Sequence, residues 1–227
     1  FKNFDTIEEC FADHYYLKSQ SSIQQQPKSW ARKVQEEWEI LQKDLPEDIF
    51  VRVCETRMDI LRAAIIGAQG TPYYDGLFFF DISFPSNYPN VPPTVHYYSG
   101  GLRINPNLYE SGHVCLSLLN TWAGSQKELW IPGVSTMLQV LVSIQALILN
   151  ANPCFNEPGY KSMEGTQRGD MMSSEYNETT ALHSLQTMVY TMRRPPKHFE
   201  ELVFGHFRRR AYRILSTCRA YMEGAPV

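Results

Sequence analysis

The chain is 227 residues long, which is enough for one large domain with an extension or for two small domains. Its hydrophobic content of 43% and charged content of 20% are those of an ordinary soluble globular protein. A formal net charge of −3 gives no reason to expect nucleic acid or an anionic membrane as a general partner.

The five cysteines are widely spread and include no Cys-x-x-Cys pair. This argues against a disulfide framework or a zinc site and favours a reducing compartment. The chain begins at Phe1 without a signal peptide, and its longest apolar run, 137–149, is too short to span a bilayer. We therefore expect a piece of a longer cytoplasmic protein, with the nucleus as a second location.

The first 28 residues are polar and aromatic by turns and include a Ser/Gln tract over 19–26. Because this tract cannot bury enough apolar surface to become ordered, we predict a flexible tail or linker over 1–28. A helix is predicted from Ser29 to about Asp44, where apolar residues recur at helical spacing, and Pro46 ends it.

Four short apolar stretches then predict β-strands, over 49–54, 60–66, 77–84 and 91–97. Short strands in succession are typical of an antiparallel meander with one face on a core. From Thr136 to Asn150 the chain is apolar nearly all round, which predicts a central buried helix. The sequence therefore predicts an α+β fold.

The C-terminal third has less regular patterns. Residues 159–177 mix Gly, Ser, Met and charge without a period, which predicts a mobile loop. Helices are predicted over 180–192 and about 197–222, and an isolated helix of this length would be marginal in water. We therefore expect both to pack on the domain, the first through Leu182, Leu185, Val189 and Met192. The run Arg208–Arg210 is interpreted as a solvated helix face.

The most informative stretch runs from Arg103 to Trp122. An Asn-Pro-Asn turn is followed by Cys115, eight residues after Asn107, and the Glu-Ser-Gly between them bends the chain so that Asn107 returns towards the cysteine. Either residue alone is typical of structure, as a buried thiol or a turn former. Together they suit acyl transfer, because the sulfur can carry the acyl group while the amide N–H stabilises the oxyanion.

This arrangement resembles the active-site signature of the ubiquitin-conjugating enzymes. Three pieces occur in the family's order: Tyr-Pro-Asn-Val-Pro-Pro over 88–93, Pro-Asn to Cys-Leu over 106–116, and Trp-Ile-Pro over 130–132. The resemblance covers about 30–160 and implies the UBC fold, with an N-terminal helix, a four-stranded antiparallel meander, a central helix and C-terminal helices. It divides the chain into a tail (1–28), a catalytic core (29–160) and a C-terminal helical extension packed on that core (161–227).

Two features narrow the resemblance further. The Leu-Asn-Thr-Trp segment that ends at Trp122 and the long C-terminal extension resemble the large hybrid conjugating enzyme/ligase proteins, including plant members linked to phosphate homeostasis. Asn105 stands where the widespread family signature has His, and the large hybrid members resemble this chain in having Asn there. The substitution bears on local packing more than on chemistry, because that His is mainly a scaffold residue.

The resemblance also implies roles for individual residues. Cys115 would accept ubiquitin as a thioester, which a lysine amine then attacks, with no nucleotide or metal cofactor in this step. Asn107 would be the oxyanion donor or organise the loop, and Glu157 would orient or deprotonate the lysine. The scaffold of the active site would comprise Asn105, Pro106, Trp122 and Trp130.

The partners implied are ubiquitin, its activating enzyme, protein substrates and a ubiquitin ligase. Arg32 and Lys33 match the basic positions of the first helix that meet the activating enzyme and ligases. The two loops that receive ligase domains contain Asn90, Val91 and Pro132. Asn90 stands where the family often has an aromatic residue, so we expect ordinary docking of RING-type or HECT-type ligases to be weak.

Two readings from other classes remain open. Cys115 and His113 could form the core of a thiol hydrolase, because residues two apart in an extended segment point the same way. The chain could also be a catalytically idle ubiquitin-binding scaffold, as in variants that lack the cysteine, although Cys115 is present here. Incubation with activating enzyme and ubiquitin distinguishes these interpretations, because each predicts a different product.

Overall fold

The computed structural model describes residues 1–17 and 26–227, so the predicted Ser/Gln linker lies, apart from Gln26, outside the described residues. The helices and strands are, in chain order, β1 (Phe4–Ile7), α1 (Lys28–Asp44), β2 (Ile49–Cys54), β3 (Arg57–Ile66), β4 (Leu77–Ser83), β5 (Thr94–Tyr97), α2 (Met137–Ser143), α3 (Gln167–Arg193) and α4 (Glu200–Met222). The predicted α+β class is confirmed. Across the two described ranges, none of these helices is both long enough and apolar enough to cross a membrane.

One sheet, in the order β1-β2-β3-β4-β5, organises the described part of the chain. Strands β2 to β5 form the predicted antiparallel meander. The prediction of four strands is wrong, because β1 adds a fifth strand that runs parallel to β2, with Phe4 opposite Val51. A four-residue strand is too short to show a period of two, so the sequence pattern did not reveal it.

The inner face of the sheet packs on the main hydrophobic core. Alternate strand residues such as Val51 and Phe80 pack there with Val34 of α1 and Val140 of α2. Burying a side chain of this kind contributes roughly 1.5–3 kcal/mol relative to leaving it exposed, so this layer supplies most of the hydrophobic stabilisation. It also fixes α2 beneath the strands that precede the active-site loop.

The central helix differs from its prediction in two respects. It is α-helical over Met137–Ser143 and continues as a π-helical turn over Ile144–Ile148. It is also buried on one side only, since Leu147 is 60% exposed. The prediction of a helix buried all round is therefore wrong. Its start is well specified, because Thr136 and the Gln139 side chain form a capping box.

The outer face of the sheet is also covered, which a meander with a single packed face would not require. Phe50 and Phe79 pack there against Met188 of α3 and against Phe199 and Val203 at the start of α4. Strands β2 and β4 are consequently buried along their whole length. The C-terminal helices therefore form a second layer of the same fold.

Helix α3 buries a face that is mostly polar and small. Its buried positions are Gly169, Ser173, Asn177, Thr180, Ala181, Ser184, Thr187, Met188 and Thr191. Two predictions are therefore wrong: the mobile loop over 159–177 is helical from Gln167 on, and Leu182, the first residue of the proposed packing stripe, is 66% exposed. Hydrophobic periodicity did not reveal the first part of this helix or its contact face, because that face carries hydroxyls and amides. Gly169 is required, because a Cβ there would lie 2.0 Å from the Met163 carbonyl oxygen.

The N-terminal segment covers a charged part of the outer sheet face. The Arg62 guanidinium on β3 is fully buried; its Nε donates to Asp81 Oδ1 at 2.7 Å and its Nη1 to Asp13 Oδ1 at 2.9 Å. Phe11, also fully buried, lies with its ring centroid 4.9 Å from Arg62 Cζ. The prediction of a flexible tail is therefore wrong for residues 4–17, because this segment packs over the charged side chains of the strands.

A disulfide bond joins Cys10 to Cys54 at the end of β2. This contradicts the sequence-based argument against disulfide bonding and leaves the expectation of a reducing compartment without that support. The two cysteines are 44 residues apart in sequence, and only the pairing of β1 with β2 brings them together. The free cysteines in the described residues are Cys115, Cys154 and Cys218.

Helix α4 is anchored on the turn between β3 and β4. The Asp75 carboxylate, 3% exposed, accepts hydrogen bonds from Arg210 Nε at 3.1 Å and from Arg213 Nε at 2.7 Å. The buried His206 ring lies 2.8 Å from the Asp75 carbonyl oxygen. The interpretation of Arg208–Arg210 as a solvated face is therefore wrong for Arg210, which forms an ion pair.

Candidate active site

The structure brings Asn107 and Cys115 together through two reciprocal hydrogen bonds. The Cys115 N–H donates to the Asn107 carbonyl at 2.9 Å, and Asn107 Nδ2 donates to the Cys115 carbonyl at 2.9 Å. Leu108 and Val114 pair between them as an antiparallel bridge. The eight-residue loop is therefore a closed hairpin-like turn, with the amide and the thiol on adjacent positions of its two arms.

Asn105 holds the base of this loop and is fully buried. Its Nδ2 donates to the Tyr73 hydroxyl at 2.8 Å and to the Ile148 carbonyl at 2.7 Å, while its Oδ1 accepts from the Asn107 N–H at 2.8 Å. The site requires a side chain that can donate and accept at once, which an amide does. Pro106 lies buried between the two asparagines and fixes φ of the turn.

Cys115 is buried, with 4% of the residue exposed. Burial raises the pKa of the Cys115 thiol, and the Glu157 carboxylate raises it further; a hydrogen bond with the Tyr109 side chain and the charge of Arg103 oppose this rise in pKa. The thiol is therefore mainly protonated near neutral pH, and its nucleophilic thiolate must form during the transfer.

Two residues near the thiol were not singled out from the sequence. The Arg103 guanidinium lies over the ring of Tyr109, 4.4 Å from its centroid, so the pair forms one wall beside Cys115. Only the position of Tyr109 in the sequence could have indicated its role. It lies two residues after Asn107 in the active-site loop, and side chains two apart share a face.

Glu157 follows a 3₁₀ turn, Pro153–Asn156, and is half-buried. It is near enough to Cys115 to raise the pKa of the thiol. Tyr176 of α3 lies within reach of the same groups: burial raises its pKa to about 12, with Arg103 lowering the pKa and Glu157 raising it. Sequence analysis missed Tyr176 because it placed this residue in a loop.

The two tryptophans of the predicted scaffold have different environments. Trp130 is buried; its Nε1 donates to the Pro89 carbonyl at 2.7 Å and its ring packs on Tyr88 with centroids 5.6 Å apart. It therefore joins the proline-rich loop to the segment that follows the active-site cysteine. Trp122 is half-buried in the intervening loop.

The residues expected to meet protein partners lie on one side of α1 and the loop beside it. Arg32 is exposed and paired with Glu36 at 3.3 Å, and Lys33 lies 3.6 Å from the buried carboxylate of Glu37. Both basic residues line a surface groove of about 500 Å³ together with Pro89, which adjoins Asn90. Asn90 and Pro132 are exposed and Val91 is half-buried.

The geometry gives little support to a Cys115–His113 hydrolase pair. His113 is exposed, and its ring packs on Tyr109 with centroids 5.8 Å apart. It is not among the groups that shift the pKa of Cys115. A base that activates a nucleophile needs to lie within hydrogen-bond reach of it, and the group in that position is Tyr109.

Several known proteins are similar to this chain in sequence. The chain is 62% identical over 225 residues to the probable ubiquitin-conjugating enzyme E2 25 of Arabidopsis thaliana, covering 99% of this chain and 37% of that protein. It is 60% identical over 227 residues to the putative ubiquitin-conjugating enzyme E2 38 of the same organism, covering 100% of this chain and 69% of that protein.

A more distant relative is the human protein named dual E2 ubiquitin-conjugating enzyme/E3 ubiquitin-protein ligase BIRC6. It is 39% identical over 217 residues, which cover 92% of this chain and 4% of that protein. This chain thus spans a minority of the length of several relatives that it matches. The family described as "ubiquitin-conjugating enzyme" matches residues 33–191, from α1 through most of α3. The chain therefore belongs to the ubiquitin-conjugating enzyme family.

Proposed function

We propose that this chain is the catalytic part of a ubiquitin-conjugating enzyme, with Cys115 as the acceptor of ubiquitin. The observation that supports the proposal is the reciprocal pairing of Asn107 with Cys115, in which the Asn107 amide binds the backbone of the candidate nucleophile. Membership of the family and the names of the relatives support the same activity.

In the charging step, Cys115 loses its proton and its sulfur attacks the ubiquitin thioester held by the activating enzyme. A new carbon–sulfur bond forms and the thiolate of the activating enzyme leaves. In the second step a lysine amine attacks the same carbonyl, an amide bond forms, and the Cys115 thiolate leaves and takes up a proton. The thioester already holds the driving force, so neither step consumes a nucleotide.

The residues around Cys115 divide the work of the second step. Asn107 Nδ2 carries two N–H groups, of which one donates to the Cys115 carbonyl, so the other is free to donate to the oxyanion. Glu157, which is near enough to Cys115 to raise the pKa of its thiol, orients the lysine amine and accepts its proton. Tyr109 and Arg103 limit the rise in the pKa of the thiol and so assist its departure.

We extend the proposal to the hybrid activity that is named for the human relative. The exposed Asn90 offers no aromatic surface for a RING-type or HECT-type ligase, so target lysines would be reached without one. The further partners would be the activating enzyme, at Arg32 and Lys33, and protein substrates. The site of action would be the cytoplasm and nucleus.

A charging assay tests the central claim. Incubated with activating enzyme, ATP and ubiquitin, the wild type should form an adduct that dithiothreitol removes. Cys115→Ser should form instead a dithiothreitol-resistant oxyester, whereas Cys218→Ser, a matched change at a free cysteine on α4, should behave as the wild type. A dithiothreitol-sensitive adduct on the Cys115→Ser variant would refute the assignment.

The same assay separates the two alternative classes. A thiol hydrolase would release shortened or free ubiquitin without accumulating an adduct. An idle scaffold would bind ubiquitin and leave it unchanged in the presence of activating enzyme and ATP. Accumulation of the thioester is the result expected here.

A further inference from the structure

The end of the central helix provides an anchor for side chains from two separate loops. In the π-helical turn the Leu149 N–H donates to the Ile144 carbonyl at 3.0 Å, five residues back. The Ile148 carbonyl at this end accepts from Asn105 Nδ2 at 2.7 Å and from Asn156 Nδ2 at 3.2 Å. π-helical turns inside helices often occur at functional sites.

Asn156 has its side-chain amide engaged at both ends. Its Nδ2 also contacts Asn105 Oδ1 at 3.3 Å, and its Oδ1 accepts from Asn150 Nδ2 at 2.7 Å. These contacts determine which end of the amide faces the helix, because the nitrogen meets two acceptor oxygens and the oxygen meets a donor. The orientation of Asn156 is therefore fixed by hydrogen bonds from three directions.

The same hydrogen bonds continue to the nucleophile. Asn105 Oδ1, which Asn156 contacts, also accepts the Asn107 N–H at 2.8 Å. Asn107 in turn is paired with Cys115 through both backbone and side chain. The next residue after Asn156 is Glu157, so the Asn105 and Asn156 amides join the Cys115 loop and the Glu157 loop at one carbonyl, that of Ile148.

We propose that Asn156 is a positioning residue, which holds the Glu157 loop in register with the Cys115 loop through Asn105 and Ile148. The inference rests on the proposed function, since it concerns the step in which lysine attacks the thioester. It assigns Asn156 no contact with the reacting atoms. Its effect is on the separation between Glu157 and the thioester, and errors of about 1 Å in such a separation can cost about 10²-fold in rate.

The position of the Glu157 loop also depends on contacts between the 150–156 segment and α3. Asn177 Nδ2 of α3 donates to the Ala151 carbonyl at 3.0 Å, and Ser173 Oγ donates to Asn152 Oδ1 at 3.0 Å. These contacts fix the segment on α3 independently of Asn156. Loss of the Asn156 amide should therefore move the Glu157 loop without unfolding it.

The test is single-turnover discharge of ubiquitin from Cys115 to free lysine, followed over lysine concentration and pH. Asn156→Ala should charge as the wild type does, and should lose about 10–100-fold in discharge to lysine, mainly as a higher KM for lysine. Asn156→Asp, which keeps the shape but replaces the donor, should show the same loss. Asn87→Ala is the matched control, because it removes an exposed side-chain amide of the proline-rich loop, outside the path to Cys115, and it should discharge normally.

A double variant makes the result specific to positioning. If Asn156 acts through Glu157, Asn156→Ala combined with Glu157→Ala should be no slower than Glu157→Ala alone, and both should share one altered pH profile. Losses that multiply, or wild-type discharge by both Asn156 variants, would overturn the inference while leaving the thioester chemistry intact. Failure of the wild type to charge would instead refute the proposed function, and wild-type discharge by Glu157→Ala would refute the role of Glu157 and this inference with it.

Discussion

At the scale of single residues, the site depends on side-chain amides that each serve two contacts. One N–H of the Asn107 side chain donates to the Cys115 carbonyl. The Asn105 side chain bridges the Asn107 backbone, the Tyr73 hydroxyl and the Ile148 carbonyl at the end of the central helix. The pairing of Asn107 with Cys115 could be predicted from the spacing and turn residues of one loop. The partners of Asn105 could not, because Tyr73 and Ile148 lie 32 and 43 residues away in sequence.

The double use of the Asn107 amide leads to a kinetic prediction. Asn107→Ala should still accept ubiquitin, since the nucleophile is unchanged, but at matched thioester levels it should discharge to lysine about 10²–10³-fold more slowly, the usual cost of losing one oxyanion donor. Asn107→Asp provides the comparison of equal size without the N–H donor. Equal discharge rates for Asn107→Ala and the wild type would show that Asn107 only organises the loop.

At the scale of elements, α4 is joined to the β3–β4 turn by a buried polar cluster. His206 Nε2 meets the Asp75 carbonyl, and Arg210 and Arg213 pair with the Asp75 carboxylate. The helix itself was predicted from its apolar residues. Its anchoring was not, because charge patterns within a helix do not show that a carboxylate 135 residues earlier lies beneath it.

This cluster predicts acid sensitivity. The pKa of His206 is lowered from 6.5 to about 4, mainly by burial and also by the charges of Arg210 and Arg213, against the raising effects of the hydrogen bond with the Asp75 carbonyl and of the Asp75 charge. Between those two pH values the unfolded chain binds a proton at this position and the folded chain does not, so stability is present above pH 6.5 and is lost as the pH falls towards 4. The loss should approach about 1.4 kcal/mol per pH unit from this group.

Melting temperatures between pH 7 and pH 4 measure this effect. His206→Gln keeps a donor for the Asp75 carbonyl but cannot take up a proton, so its melting temperature should fall less steeply over this range. Parallel pH profiles for the variant and the wild type would exclude His206 as a source of the acid sensitivity.

At the scale of the whole molecule, a five-stranded sheet is covered on both faces. The inner face meets α1 and α2, and the outer face meets α3, α4 and the N-terminal segment. That segment shields the Arg62–Asp81 ion pair from solvent. Both side chains are fully buried, so loss of either partner would leave an unpaired charge in the interior. The described residues 1–17 are therefore part of the fold and are not an appendage to it.

Truncation of the buried aromatic ring in this segment tests the point. Phe11→Ala should reduce the free energy of unfolding by about 3–5 kcal/mol, because it leaves a cavity against Arg62 and exposes that ion pair. Leu182→Ala, at a position 66% exposed on α3, should change stability by less than about 0.5 kcal/mol. Denaturant unfolding followed by tryptophan fluorescence measures both, and an unchanged midpoint for Phe11→Ala would mean that the segment is only loosely held.

The sequence by itself determined the α+β class, the meander of β2 to β5, the helix α1 and the loop from Asn105 to Cys115. These features follow from local information: strand-length apolar runs, helical periodicity and the turn residues of one loop. They also contain the motif by which the family is recognised.

Only the tertiary structure decided the fifth strand, the buried polar face of α3, the Cys10–Cys54 bond and the approach of Tyr176 to Arg103 and Glu157. Each depends on contacts between distant parts of the chain. Most of the buried side chains of α3 carry hydroxyls or amides; Ser173 donates to the Asn152 side chain and Asn177 to the Ala151 carbonyl, so the burial of this face left no hydrophobic pattern. The sequence pattern shows which residues are apolar and will therefore be buried. Burial of a polar residue depends instead on a hydrogen-bond partner, and only the tertiary structure brings that partner into contact.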